Sequence, residues 1–251
     1  MPRYRGVEDD DYDWTPYVTV GERRRTAEKE AAKLGPTTPV ILTGSRIAKT
    51  FWGKSWCENL ERYSDYANRL PRGRTYVRSG CVIDLNIGSG IVNALVSGSS
   101  VYRVQVNVSS IPKLRWKAVC HDCAGAIDSL VELLEGRFTK STMERLCHEK
   151  TGMFPLPSEI RFNCSCPDSA RMCKHVAAVL YGIGARLDEK PELLFTLRNV
   201  DQQDLITKAG SSLTKPKTSK VLEVDNLSEL FGIEIAEPKR KRTRRRSTHT
   251  G

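Results

Sequence analysis

Apolar positions recur along this chain with two different periods, and the changes of period mark its elements. Trp52, Trp56, Leu60 and Tyr63 lie three or four residues apart, which predicts an amphipathic helix over residues 50–67, ended by Pro71. Ile83, Leu85 and Ile87 alternate with Asp84 and Asn86. Val104, Val106 and Val108 alternate in the same way with Arg103, Gln105 and Asn107. Alternation is the period of a half-buried strand. An apolar run from Ile91 to Val96 lies between them, and Gly88-Ser89-Gly90 and Gly98-Ser99-Ser100 supply the turns. Connections this short join antiparallel neighbours, so a β-meander is expected. Residues 74–78 are a candidate fourth strand.

Helical spacing returns at Trp116, Cys120, Cys123, Ile127, Leu130 and Leu134, which predicts one continuous helix closed by Gly136. Ser141 and Glu144 have capping-box spacing and mark the start of a shorter helix. Pro155 and Pro157 precede a short strand from Glu159 to Phe162. Val176, Leu180, Ile183 and Leu187 define a further helix, and Pro191 is placed to open another. Residues 208–220 are rich in Lys, Ser, Thr and Pro and read as a linker, followed by a small amphipathic patch at Leu227, Leu230 and Phe231. The expected fold class is α+β: a small antiparallel β-meander packed by helices, a compact ββα-like module, and a disordered basic C-terminal tail. The expected divisions are a mobile charged N-terminal arm (1–42), an α+β body (43–138), a metal-binding region (139–207), and the linker with its tail (208–251).

Charge sharpens this division. The 251 residues carry a formal net charge of +10. Lys239, Arg240, Lys241, Arg242, Arg244, Arg245 and Arg246 supply seven of the positive charges, which leaves +3 for everything else. The body thus reads as close to balanced, with its basic character in an appendage suited to DNA or RNA through counterion release. A nuclear localisation signal and a solubilising end are the other readings of that tail. Glu8, Asp9, Asp10, Asp11 and Asp13 make the opposite end acidic. Residues 1–13 lack an apolar leader, and no run approaches the ~20 apolar residues of a membrane span. The expectation is a soluble cytoplasmic protein with no membrane association, at the nucleoid in a bacterium or nuclear in a eukaryote. In a reducing compartment its eight cysteines are thiols or metal ligands rather than disulfides.

Four of the strongest metal ligands fall within one short segment. Cys164-Ser-Cys166-Pro-Asp-Ser-Ala-Arg-Met-Cys173-Lys-His175 reads C-x-C-x6-C-x-H. Two tight pairs joined by a short loop can close a tetrahedron round Zn²⁺, with Zn–S near ~2.3 Å and Zn–N near ~2.0 Å. Four protein ligands leave no open position, which points to a structural ion. Such an ion contributes on the order of 10 kcal/mol to local folding at neutral pH. Cys120-His121-Asp122-Cys123 also contains a C-x-x-C, but both cysteines sit on an apolar stripe. They are either small core residues or half of a second site completed by Cys147 or His148.

The C-x-C…C-x-H pattern, followed at once by Val176-Ala-Ala-Val-Leu180-Tyr181, resembles the SWIM zinc finger. The resemblance extends over about residues 43–206 to bacterial SWIM-containing proteins, through Trp52-Gly-Lys-Ser-Trp56, Leu70-Pro-Arg-Gly-Arg74, Cys123-Ala-Gly-Ala-Ile-Asp128 and Pro191-Glu-Leu-Leu-Phe195. It implies a nucleic-acid-associated accessory protein, with DNA preferred to RNA. It also implies a helicase-like ATPase partner on a separate chain, and this sequence has no G-x-x-x-x-G-K-[ST] stretch of its own.

Phosphate contacts are sought among Arg and Lys. Arg171 and Lys174 flank the zinc ligands, and Arg72 and Arg74, with Arg78, are expected in a basic loop beside the sheet. The polar sheet face, with Asp84, Asn86, Arg103, Gln105 and Asn107, is either a binding surface or simply solvated. There is no H-E-x-x-H and no G-x-S-x-G, and one of only four histidines is assigned to zinc, so no enzymatic activity is expected. The alternative to nucleic-acid association is a protein–protein interaction adaptor that works through the sheet face or the Leu227–Phe231 patch.

Overall fold

The computed structural model describes residues 18–62, 68–168, 170 and 172–206. Three helices come first: α1 (Val20–Leu34), α2 (Phe51–Glu61) and α3 (Leu70–Arg78). The meander follows as β1 (Val82–Gly88), β2 (Ile91–Ser97) and β3 (Val101–Val108), then α4 (Lys113–Asp122), α5 (Leu130–Glu135) and α6 (Lys140–Leu146). The last elements are β4 (Ile160–Cys164), α7 (Lys174–Glu189) and α8 (Glu192–Leu197). Among the described residues no helix is long and apolar enough to cross a membrane.

The expected meander forms, and β4 joins it as the fourth strand of one antiparallel sheet in the order β1-β2-β3-β4. Register decides what each face shows. Leu85, Ala94, Val104 and Cys164 lie in one row across all four strands, and Ile87, Val92, Val106 and Phe162 in another. This face meets α7. A Cβ on Gly182 would lie 2.9 Å from Leu85 and 3.2 Å from Val40. The intervening row, Asn86, Asn93, Gln105 and Asn163, belongs to the opposite, polar face. The ββα arrangement expected for the zinc segment is realised by β3, β4 and α7. Its sheet is therefore also the sheet of the meander, and segments 43–138 and 139–207 share a core.

Helix α7 is the centre of packing. Twelve of its sixteen residues are buried, between the sheet and the pair α2 and α3. Glycines set how close the helices come. A Cβ on Gly73 would stand 2.5 Å from the Ala177 Cβ, and one on Gly53 would stand 2.5 Å from the Gly184 carbonyl oxygen. Large side chains fill the space around these contacts and satisfy their own donors. Trp56 Nε1–H donates to the Leu180 carbonyl at 2.8 Å, and Trp52 Nε1–H donates to that of Leu133 at 2.9 Å. Asp188, near the end of α7, accepts from the backbone N–H of Lys49 and Thr50 and so ties the approach to α2 onto α7. At the start of β4, Glu159 accepts from Arg115 at 2.7 Å and from the fully buried Arg198 at 2.9 Å, which ties the strand to α4 and α8.

Several elements differ from the sequence-based expectation. Residues 74–78 are helix rather than strand. Pro71 sits in the first turn of α3, where its fixed φ suits a helix and its missing N–H costs nothing, so it opens a helix as well as following one. Helix α2 ends at Glu61, and Tyr63 lies outside the described residues. The stripe from Trp116 to Leu134 is divided between α4 and α5. Gly125 takes a left-handed φ of 75°, and Ser129 caps the new helix through Glu132 N–H. Trp116, Cys120, Cys123 and Ile127 are all buried nonetheless. Helix α6 is capped by Thr139 rather than Ser141. The segment read as a mobile arm carries α1 in its described part, with a full Thr19–Glu22 capping box and a buried Ala27. Beyond α1, residues 38–40 run along β1. Val40 N–H donates to the Val82 carbonyl and Leu85 N–H to that of Thr38. The linker, the Leu227–Phe231 patch and the tail lie outside the described residues.

The helix contacts predict opposite signs for two glycine substitutions. Gly73→Ala overpacks the α3–α7 crossing and should lower unfolding free energy by about 1–3 kcal/mol in urea titration of the zinc-loaded protein. Gly21→Ala, with nothing within 4 Å of the new methyl group in α1, should raise it by about 0.5–1 kcal/mol.

Candidate metal centre

Each ligand position follows from the local fold. Alternation along β4 turns Cys164 to the core face, beside Val104. Cys166 lies two residues beyond, after the chain leaves the strand, and is half-buried. Cys173 is the N-cap of α7 and its sulfur accepts from Val176 N–H at 3.5 Å. His175 occupies the first turn of the same helix and is buried. The strand end delivers one pair of donors and the helix start delivers the other.

The four donor atoms lie within 4.8 Å of one another. His175 Nδ1 is 3.9 Å from both Cys164 Sγ and Cys173 Sγ. A tetrahedron with the bond lengths of zinc has edges of about 3.7 Å, so these side chains need only small movements to close on an ion. The donor set, three sulfurs and one imidazole, suits zinc in a closed structural site. No other group of three or more potential ligands is assembled among the described residues. Cys120 and Cys123 are core residues there, both fully buried.

The surroundings of the donors oppose charge. Burial pushes the Cys164 thiol up to about 12 and also raises that of Cys173. Burial, with Lys174 beside it, lowers the His175 imidazole to about 4. A bound cation reverses the preference of the thiols, so loading the site with zinc releases protons and acid weakens it. Placement of Cys173 at a helix N-terminus favours the thiolate further.

His175 is positioned by rings. Tyr102 stacks on the imidazole with centroids 4.3 Å apart and an interplanar angle of 25°, and Tyr76 meets it edge-on at 5.4 Å. Its Nε2 is buried and has no hydrogen-bond partner. That atom abuts the β2–β3 turn, where a Cβ on Gly98 would lie 3.2 Å from it and 2.9 Å from the Tyr102 ring. With Nδ1 facing the sulfurs and Nε2 against the turn, one ring orientation serves the metal. Tyr76, Tyr102 and Gly98 carry no motif spacing relative to the ligands, and only the β3–β4 pairing and the α3–α7 crossing bring them there.

The expected phosphate-binding residues fare unequally. Arg72 is exposed on α3. Arg74 is held by Glu61 at 2.5 Å and by the Tyr181 hydroxyl at 2.8 Å, within a network that joins α3, α2 and α7. Lys174 lies with its ammonium 5.2 Å from the Tyr76 ring centroid. Arg72 and Arg74 are on a helix rather than a loop, which follows from the correction to residues 74–78. Arg171 and the seven residues Lys239, Arg240, Lys241, Arg242, Arg244, Arg245 and Arg246 lie outside the described residues.

Residues 163–182 match the family model of the SWIM zinc finger. The match spans the last two residues of β4, all four ligands and the first half of α7. Over 173 residues the chain is 32% identical to an uncharacterised protein of Mycobacterium tuberculosis, an alignment that takes in 68% of this chain and 62% of that protein. The chain thus spans less than two thirds of the length of that relative. No solved structure matches the chain.

Elemental analysis of the purified chain should find one zinc per molecule. Cys173→Ser should abolish stoichiometric zinc and lower the thermal midpoint, whereas Cys123→Ser should retain one equivalent. Gly98→Val should behave like a ligand variant, with zinc affinity reduced by about 10–100-fold as for other outer-shell changes, because the branched side chain displaces Tyr102 and His175.

Proposed function

We propose that this protein is a non-enzymatic, nucleic-acid-associated accessory factor whose zinc ion fixes the shape of a binding module. One observation carries the reading: four protein donors converge on one point, so zinc there has no open position for chemistry. The ion serves to hold the strand end and the helix start together. Lys174, in the first turn of α7, and Arg171 and the Lys239–Arg246 tail, by their chemistry, are suited to phosphate. The SWIM match supports the zinc-fixed module. The proposed ligand is DNA in preference to RNA, and the proposed working partner is a helicase-like ATPase on a separate chain.

A second reading is favoured by the outer face of the sheet. There Asn86, Asn93, Gln105 and Asn163 form a row of amides across all four strands, and Gln105 donates to Asn93 at 3.2 Å. Amides bind without net charge, so this face suits a salt-tolerant protein contact, such as docking of the ATPase partner.

Fluorescence anisotropy with labelled duplex DNA should show affinity falling steeply with salt. Deletion of residues 239–246 should reduce the slope of log K against log[salt] by several units, at about 0.9 for each phosphate that the tail neutralises. An unchanged slope removes the tail from the account. Capture of a partner at moderate salt with nuclease present, without measurable DNA binding by the chain itself, would favour the adaptor.

A further inference from the structure

We propose that the nucleic-acid-facing surface of the folded body is centred on helix α3, with cations recruited from α1, the loop before α2, α2 itself and the first turn of α7. The proposal rests on the nucleic-acid reading above and assigns it a place outside both the finger loop and the tail. Residues 69–79 contain four arginines and no acidic residue. Two of the four are engaged: Arg74 with Glu61 at 2.5 Å, and Arg69 with Asp168 at 3.6 Å. Arg72 and Arg78 are exposed and have no acidic partner among the described residues.

Neighbouring elements add charge of the same sign around this helix. Tyr76 of α3 has the Lys174 ammonium 5.2 Å from its ring centroid and the Arg23 guanidinium 5.6 Å from it, so α7 and α1 both deliver a cation to one ring. Arg78 lines a groove with Arg24 and Glu28 on one side of α3. On the other side it lines a hollow with Arg46, Lys54 and Glu58. Among the described residues that line this groove and hollow, Arg24, Arg46, Lys54 and Arg78 face Glu28 and Glu58, since Glu61 is bound to Arg74; Asp188, close behind Cys57, is held by Lys49 and Thr50. The outer sheet face offers Arg103 and Arg161 against Asp84, diluted by amides.

The distribution selects the partner. These cations do not converge on one enclosed point, as they would for a small anion. They are spread along and beside a helix, mostly exposed, which suits an extended polyanion with regularly spaced charges. Tyr76 is nearly buried and covered by Lys174 and Arg23, so it offers no stacking platform for a base. The contacts are therefore with the phosphodiester backbone and carry no sequence preference.

The test uses the full zinc-loaded chain and fluorescein-labelled duplex DNA in an anisotropy series from low to high salt, repeated with duplex RNA of the same sequence. Arg72→Gln combined with Arg78→Gln should lower the salt slope by about 2 and weaken binding roughly tenfold or more at fixed salt, with zinc content and thermal midpoint unchanged. Arg24→Gln combined with Lys54→Gln, on flanking elements, should produce a loss of the same kind, while Arg103→Gln combined with Arg161→Gln should leave the slope unchanged. Native slopes in both pairs around α3 overturn the assignment while leaving nucleic-acid binding by the tail intact. An equal loss in the sheet-face pair also overturns it, because the effect would then follow total charge rather than position. Failure of the native chain to bind either duplex overturns the functional reading and this surface with it.

Discussion

Three helices approach at backbone distance in this protein, and the metal centre depends on that approach. Gly73 admits Ala177, and Gly53 and Gly184 admit each other, so α7 lies pressed between α2, α3 and the sheet. Its N-cap is Cys173, its first turn carries His175, and the strand it covers carries Cys164. The same packing that buries the core of α7 therefore brings two donors to within ligand distance of the other two. A zinc ion placed there links the end of β4 to the start of α7 directly. It acts as a staple on elements already in contact rather than as the sole organiser of an isolated finger.

The immediate surroundings of the ion are arranged by shape more than by polar contacts. The imidazole is clamped between Tyr102 and Tyr76, and its far nitrogen faces a glycine turn. Histidine ligands elsewhere commonly donate that second N–H to a carboxylate or carbonyl, which fixes the tautomer. Here the rings and the missing side chain at position 98 fix the orientation instead. Three thiolates, a neutral imidazole and a divalent cation carry one net negative charge, and Lys174 in the first turn of α7 lies where it offsets that charge.

The folded body is not balanced in the way the small remainder outside the tail suggested: residues 18–206 hold 27 basic and 20 acidic residues, because the acids that lower the sum lie largely before and after them. Acidic partners neutralise Arg69 and Arg74 at the edges of α3, and Glu159 is shared by Arg115 and Arg198 in the interior. Exposed arginines without an acidic partner among the described residues include Arg72 and Arg78 on α3, while the outer sheet face is furnished largely with amides. The excess of basic residues is thus unevenly placed, and the local field is what a polyanion meets.

The chain by itself determined the local parts. The strands were legible because Asp84, Asn86, Gln105 and Asn107 interrupt their apolar neighbours at every second position. The ligand set was legible because three Cys and one His within twelve residues have the spacing of two ligand pairs for one ion. Local signals also misled in identifiable ways. Pro71 can end one helix or begin the next, and the stripe from Trp116 to Leu134 reads as one helix although Gly125 breaks the backbone beneath it; past the break Leu133, rather than Leu130 or Leu134, is the fully buried residue. Tertiary structure alone decided the rest. That β4 pairs with β3 is a long-range register, and it merges the zinc segment with the meander. That Tyr102 and Gly98 enclose His175, and that Arg23 and Lys174 meet over the Tyr76 ring, depend on contacts between residues about 50 to 100 positions apart. Spacing along a chain encodes neighbours within one element, and it carries no information about which elements meet.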